Sequence, residues 1–279
     1  MELWFTELQT PDLSLGCRID RTLIHEKTEY QDLAIVETRQ YGRMLVLDGC
    51  VMTTEKDEFI YHEMIAHVPL ATHPNPKKVL VVGGGDGGVI RESLRHPSVE
   101  AAVLAEIDEA VIRRSQEFLP TIAAGFRDPR ARLAVGDGLK HVREHRGEYD
   151  VIICDSTDPI GPAVGLFSKE FFRDAREALT PEGIFVAQSE SPFLHGELIA
   201  RVMKDLAAVF PIARLYWAVI PTYPGAMWSF AVGSKKLDPA TDFRRVELPT
   251  KYYSPDVHRA AFVLPPFVQA LIKEAGLNR

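Results

Sequence analysis

Three carboxylates stand where buried strands would deliver them to a ligand. The run Tyr149-Asp150-Val151-Ile152-Ile153-Cys154 ends in Asp155-Ser156-Thr157-Asp158-Pro159, and Val79-Leu80-Val81-Val82 runs into GGGDGG at 83–88, with Asp86 inside the loop. Ligands of open α/β sheets bind at the carboxyl ends of the strands, so all three acids converge on one edge. Gathering like charges there is costly unless a cation joins them. An aliphatic amine with a pKa of about 10.4 is protonated at neutral pH, and freeing its lone pair costs about 4–5 kcal/mol. Asp155 is placed to accept that proton and orient the amine; Asp158 is placed to hold a distal ammonium. As turn formers before Pro159 the same aspartates also have a purely structural reading.

The glycine loop narrows the ligand. Strand, glycine loop and helix in this order form a nucleotide-binding crevice, and Glu106, about 20 residues on, falls where an acid accepts hydrogen bonds from ribose hydroxyls. Asp86 would repel a pyrophosphate, or the amino-acid carboxylate of S-adenosylmethionine. It suits a ligand that is adenosine-like at one end and purely cationic at the other, such as decarboxylated S-adenosylmethionine. Its structural alternative is a cap on the following helix, a position aspartate favours.

The surrounding pattern supplies the scaffold. Residues 1–55 alternate with period two, as in Gln31–Thr38 and Arg43–Leu47, and predict a small antiparallel β domain. Helical spacing begins at Lys56 and runs to His67, with Phe59, Ile60, Met64 and Ile65 close to one face; His73-Pro74-Asn75-Pro76 reads as a linker. Apolar runs at 79–82, 101–105, 131–135, 151–154 and 184–187 alternate with amphipathic stretches, which predicts a doubly wound parallel α/β sheet. A helix over 196–210, strands near 215–220 and 229–232 and a C-terminal helix over 266–275 complete a catalytic domain spanning 56–279. The small residues of 160–165 suggest a loop that closes over substrate and excludes water.

Composition sets outer limits. The chain has 279 residues, of which 46% are hydrophobic and 25% charged, the balance of a globular protein with a substantial core. The formal charge of −7 disfavours nucleic acid as a partner. The N-terminal segment lacks a secretory pattern and no apolar stretch is long enough to span a bilayer, so a cytoplasmic protein without a membrane partner is expected. Cys17, Cys50 and Cys154 form no CxxC pair and are expected to be reduced and structural. His62 and His67 in HEMIAH look like a zinc-binding pair, but five residues apart they diverge by about 140° on a helix. No metal and no bound cofactor are therefore expected.

At this point the sequence resembles the spermidine synthases, a family of polyamine aminopropyltransferases. The resemblance rests on YGRMLVLDG (41–49), DEFIYHEM (57–64), VLVVGGGDGGVIRE (79–92), EID (106–108), GDG (136–138), DSTDPIGPA (155–163), IPTYP (220–224) and KYYSPDVHRAAFVLP (251–265). It implies a class I methyltransferase-like, Rossmann-like fold behind an N-terminal β domain, and a homodimer or homotetramer. It further implies that Gln31 and Glu106 contact the ribose, Asp137 and Gly138 the adenine edge, and Asp86 the donor's ammonium. Tyr61 and Tyr223 would line the channel where donor and acceptor meet, Asp155 would be the base, and Asp158 and Gln188 would hold the acceptor's far end. His62, beside Tyr61, counts among the acceptor contacts. The implied reaction moves an aminopropyl group from decarboxylated S-adenosylmethionine to putrescine or a related amine. The alternatives are another acceptor (agmatine, cadaverine or spermidine), an S-adenosylmethionine methyltransferase on the same fold, and a silent polyamine-binding protein.

Overall fold

The computed structural model describes residues 2–159 and 161–276, with Pro162 described by its backbone alone. Ile160, part of the expected closing loop, lies outside the described residues. The N-terminal region is a five-stranded antiparallel meander of β1 (Leu3–Thr10), β2 (Leu13–Lys27), β3 (Asp32–Thr38), β4 (Gly42–Leu47) and β5 (Cys50–Thr54), paired in sequence order. Alternation along β3 and β4 sends Leu33, Ile35, Leu45 and Leu47 to one face and Val36, Met44 and Val46 to the other. Both faces of β3 and β4 therefore pack apolar residues.

The second sheet follows α1 (Glu58–Thr72) and contains β6 (Lys78–Gly83), β7 (Ala101–Glu106), β8 (Ala131–Val135), β9 (Tyr149–Asp155), β10 (Leu179–Gln188), β11 (Ile212–Val219) and β12 (Met227–Ser234) in the order β11-β12-β10-β9-β6-β7-β8. Strands β8, β7, β6, β9 and β10 are parallel, while β12 pairs antiparallel with both β10 and β11. This is the Rossmann-like sheet of the class I methyltransferases, closed by an antiparallel hairpin. Helices α2 (Gly88–Leu94), α3 (Glu109–Phe118), α4 (Gly138–Glu144), α5 (Lys169–Ala178), α6 (Gly196–Ala207), α7 (Pro255–Ala261) and α8 (Pro266–Glu274) occupy the connections and the C-terminal part.

Two departures from the sequence expectation have physical causes. Helix α1 runs on to Thr72 through Pro69 and is buried on nearly every side rather than on one face. It lies between the sheet and the segment after β12: Glu63 accepts backbone N–H groups of Lys251, Tyr252 and Tyr253, each at 2.8 Å, and Arg244 donates to Leu70 O and His73 O at the helix end. Helix α7, not expected, starts at Ser254, whose hydroxyl accepts the Val257 N–H at 3.1 Å, with Pro255 in the first turn. The N-terminal sheet docks on α3 through Leu33, Ile35, Leu45 and Leu47 against Val111, Leu119 and Ile122. That apolar contact holds the β2–β3 turn over the carboxyl edge of β7. Among the described residues no helix is long and apolar enough to cross a membrane.

Candidate active site

The parallel strands diverge at β6, which has β7 on one side and β9 on the other, and a cavity of about 470 Å³ opens at this switch point. The register pairs Gly83 with Asp155, so the glycine loop and the acid loop leave the sheet side by side. Gly83 and Gly84 have φ of +77° and +70°, and a Cβ on Gly84 would lie 2.6 Å from Asp155 Oδ2. Only glycine fits the loop against the acid.

Within the cavity lining, buried Glu106 accepts the Gly85 N–H at 3.2 Å and the Asp108 N–H at 2.9 Å. Burial pushes its pKa up to about 7, the Asp108 and Gly85 hydrogen bonds working the other way. Gln31 comes from the β2–β3 turn; its Nε2 donates to Asp108 Oδ2 at 2.8 Å, which leaves its carbonyl oxygen for a ligand. Asp137 caps α4 by accepting the Leu139 N–H at 2.8 Å, with Gly138 packed over Val82. These four residues share one end of the cavity.

Asp86 does two things at once. Its Oδ1 accepts the Gly88 N–H at 2.7 Å, and its Oδ2 faces His62 Nε2 at 3.4 Å. The N-cap of α2 is Gly87, so Asp86 precedes the cap and binds the first helical N–H while its other oxygen stays on the cavity side. His62 lines the cavity between Tyr61 and Asp86; it is almost fully buried, with Nδ1 on Glu58 Oε2 at 2.5 Å and Nε2 toward Asp86. Burial would push the imidazole's pKa down, but Asp86 and Glu58 outweigh it and lift the pKa to about 10. His67 faces away, bonded to His96 and Glu92, so the two histidines of HEMIAH belong to separate networks.

Asp155 sits at the centre. Tyr61 donates to its Oδ1 at 2.5 Å, and the Tyr61 ring packs at 5.6 Å from Tyr223, whose hydroxyl donates to Met52 O at 2.6 Å. Burial and then the Asp86 charge push the Asp155 pKa up to about 6; His62 and the Tyr61 hydrogen bond act in the opposite direction. Gln188 lines the far end beside Asp158 and also braces the acid loop, donating to Ser156 O at 3.3 Å and accepting the Glu190 N–H at 3.0 Å. Among the described lining residues there is no lysine or arginine.

Sequence reasoning missed three acids. Glu7 projects from β1 into the cavity and accepts the Val51 N–H at 3.1 Å; burial raises its pKa to about 7. Glu190 is buried with a left-handed φ of +71°, and burial and then the Asp158 charge hold its carboxyl well above the usual range. Glu58 lies one helical turn before His62, and that four-residue spacing was the one signal available for any of them. Gly88 is tied to the same corner, because a Cβ there would stand 2.2 Å from the His62 ring. Gly88→Ala is expected to lose about 1–3 kcal/mol in urea unfolding, as overpacking does, and His62→Ala in the same chain is expected to recover part of it. An unchanged midpoint in the single variant would disprove the packing.

Comparison with known proteins places this geometry. The spermine/spermidine synthase domain matches residues 58–245, and the spermidine synthase tetramerisation domain matches residues 3–55. A polyamine aminopropyltransferase of Moorella thermoacetica is 57% identical over 273 residues, covering 97% of this chain and 96% of the relative. That of Shouchella clausii is 58% identical over 277 residues, covering 98% and 100%. Among solved structures, a spermidine synthase in complex with the transition-state analogue AdoDATO superposes with a TM-score of 0.94 at 43% identity, covering 97% of this chain and 95% of that one. The spermidine synthase of Thermotoga maritima gives a TM-score of 0.93 at 43% identity, covering 97% and 94%. The chain belongs to the spermine/spermidine synthase family of polyamine aminopropyltransferases.

Proposed function

We propose that the protein transfers the aminopropyl group of decarboxylated S-adenosylmethionine to putrescine, yielding spermidine and 5′-methylthioadenosine. The observation that carries this reading is the charge of the cavity: Asp86, Asp155, Asp158 and Glu7 line it, and among the described residues no lysine or arginine does. A donor bearing a sulfonium and an ammonium, with a diammonium acceptor, supplies the missing positive charge. Gln31, Glu106, Asp137 and Gly138 would hold the adenosine half, Asp86 the aminopropyl ammonium, and Asp158, with Gln188 behind it, the distal ammonium of the acceptor.

The chemistry is a direct displacement. The acceptor nitrogen gives up a proton to Asp155, and its lone pair forms a C–N bond to the carbon next to sulfur. The C–S bond breaks, its electron pair stays on sulfur, and neutral methylthioadenosine leaves. Alignment in the channel between Tyr61 and Tyr223 and the fixed dipoles around it would provide the rate enhancement. The N-terminal sheet exposes Leu3, Trp4, Leu8 and Leu13, an apolar surface that supports a homo-oligomer built through this region, in keeping with the tetramerisation domain matched there.

Products identified by mass spectrometry after incubation with decarboxylated donor and a panel of amines test the reading. Methylthioadenosine with spermidine is expected. S-adenosylhomocysteine formed from S-adenosylmethionine would replace the reading with methyl transfer. Asp155→Asn is expected to lower kcat by about 10²–10⁴-fold while binding methylthioadenosine as wild type does; turnover close to wild type would remove Asp155 from its role.

The pH dependence has a definite sign. A raised pKa means that Asp155 becomes unable to accept a proton as pH falls through about 6, so kcat/KM should decline on that side. Tyr61 stabilises the ionised form by donating to it. Tyr61→Phe is therefore expected to move the acid limb to higher pH, with the loss larger at pH 6 than at pH 8. A limb left at the wild-type position would show that the hydroxyl does not tune the base.

A further inference from the structure

The site is anionic, yet it contains a buried cation of its own. His62 stands between Glu58 on one side and Asp86 on the other, at 2.5 Å and 3.4 Å. Glu58 Oε2 also accepts from Arg91 Nη2 at 2.7 Å, and Arg91 Nε donates to Glu92 at 2.8 Å. The result is a row of alternating charges, Arg91, Glu58, His62, Asp86, running from α2 through α1 into the donor loop. Its free end, beyond Asp86, points to the place proposed for the donor's ammonium.

The groups around His62 account for its charge. From α1 come Glu58 and the edge of the Tyr61 ring, at 5.6 Å between centroids; from the donor loop, Asp86; from α2, the Gly88 backbone and, through Glu58, Arg91. From β9 the nearest charge is Asp155, and Tyr223 lies beyond Tyr61. Every carboxylate in this set favours the imidazolium, and Arg91 is kept from opposing it by directing its donors to Glu58 and Glu92. Burial alone would raise the Glu58 pKa, but His62 and Arg91 hold it down at about 2, so Glu58 stays ionised at any working pH.

We propose that Glu58 is a positioning residue for aminopropyl transfer: anchored by Arg91, it helps Asp86 keep His62 an imidazolium, and that charge favours an ionised Asp155 beside Asp86 in the empty site. Two buried carboxylates facing one pocket otherwise tend to share a proton. A protonated Asp155 cannot take the amine's proton. This role rests on the reading of the site given above, and it adds Glu58 and Arg91, which are not among the cavity's lining residues.

The test compares wild type, Glu58→Gln and His62→Gln, with kcat/KM for decarboxylated donor followed from pH 5.5 to 9.5. In both variants Asp155 is expected to hold its proton to higher pH. The acid limb is expected to rise by about one pH unit, a loss of about tenfold at pH 6 that shrinks to within about twofold at pH 9. The double variant should resemble His62→Gln alone, because both changes remove the same charge. Binding of 5′-methylthioadenosine, which lacks the aminopropyl ammonium, should be unchanged in all three. A Glu58→Gln enzyme with an unmoved limb, or one whose activity and methylthioadenosine binding fall equally at every pH, would overturn the proposal. If wild type itself forms no methylthioadenosine, the functional reading fails; if wild type is active and the limb does not move, only the role of Glu58 fails.

Discussion

The register between β6 and β9 is the constraint on which the site depends. Pairing Gly83 with Asp155 fixes two loops of different purpose a few ångströms apart. The glycine loop must then bend away from the acid at once, and it does so with φ of +77° and +70° at residues where a Cβ would collide with Asp155. A side chain at either position would either strain the backbone or displace the carboxylate. The third partner, Asp86, is set by the same bend, since Gly87 takes a left-handed conformation and passes the chain into α2 with its N–H bonded to Gly84 O. Three acids from two loops thus converge because the backbone directs them to one point.

Convergence creates an electrostatic problem that the protein only partly resolves. Opposite unit charges about 4 Å apart attract by roughly 4 kcal/mol at an intermediate dielectric, and like charges repel by as much. His62 offsets one acid and Tyr61 donates to another; burial first, with neighbouring carboxylates adding to it, still raises the pKa values of Asp155, Glu106, Glu7 and Glu190. Charge left uncompensated in the empty protein is affinity for a polycation, because each arriving ammonium relieves repulsion already present. The N-terminal sheet takes part in this directly: Glu7 reaches the cavity from β1, and Gln31 from the β2–β3 turn is pinned to Asp108 at 2.8 Å.

Much of this is legible in the sequence, and the boundary of legibility has a physical explanation. Strands with apolar runs and loops with glycine or Asp-Pro announce themselves locally, so local pattern alone places β6, β9 and the acids that follow them. Asp86, Asp155 and Asp158 stand out because a charge directly after a buried strand is unusual. Glu7 and Glu190 do not, since their importance comes from burial against partners distant in the chain, Val51 and Asp158. Helix α1 defeats the one-face reading because a helix packed on all sides carries no amphipathic signal. For His62 the sequence does not reveal the partners of its ring: on a helix adjacent residues point about 100° apart, and the contacts with Glu58 and Asp86 appear only once α1 packs against the glycine loop.

The charge row also bears on how the base can work at all. As the proposed base, Asp155 would need a pKa high enough to take a proton from an amine and low enough to be ionised when the amine arrives. Burial and Asp86 supply the first requirement; His62 and Tyr61 supply the second. Binding shifts the balance further, because a sulfonium and two ammoniums near Asp155 favour its ionised form, and by linkage an ionised Asp155 favours their binding. In the proposed reaction the amine's proton goes to Asp155 and the sulfonium's charge passes to the new secondary ammonium, so the substrates at the reacting centre carry one positive charge fewer than before. Asp155 is left beside fewer cations at the moment it carries the transferred proton, so the same electrostatics that draw the substrates in also make the base a better acceptor as the reaction proceeds.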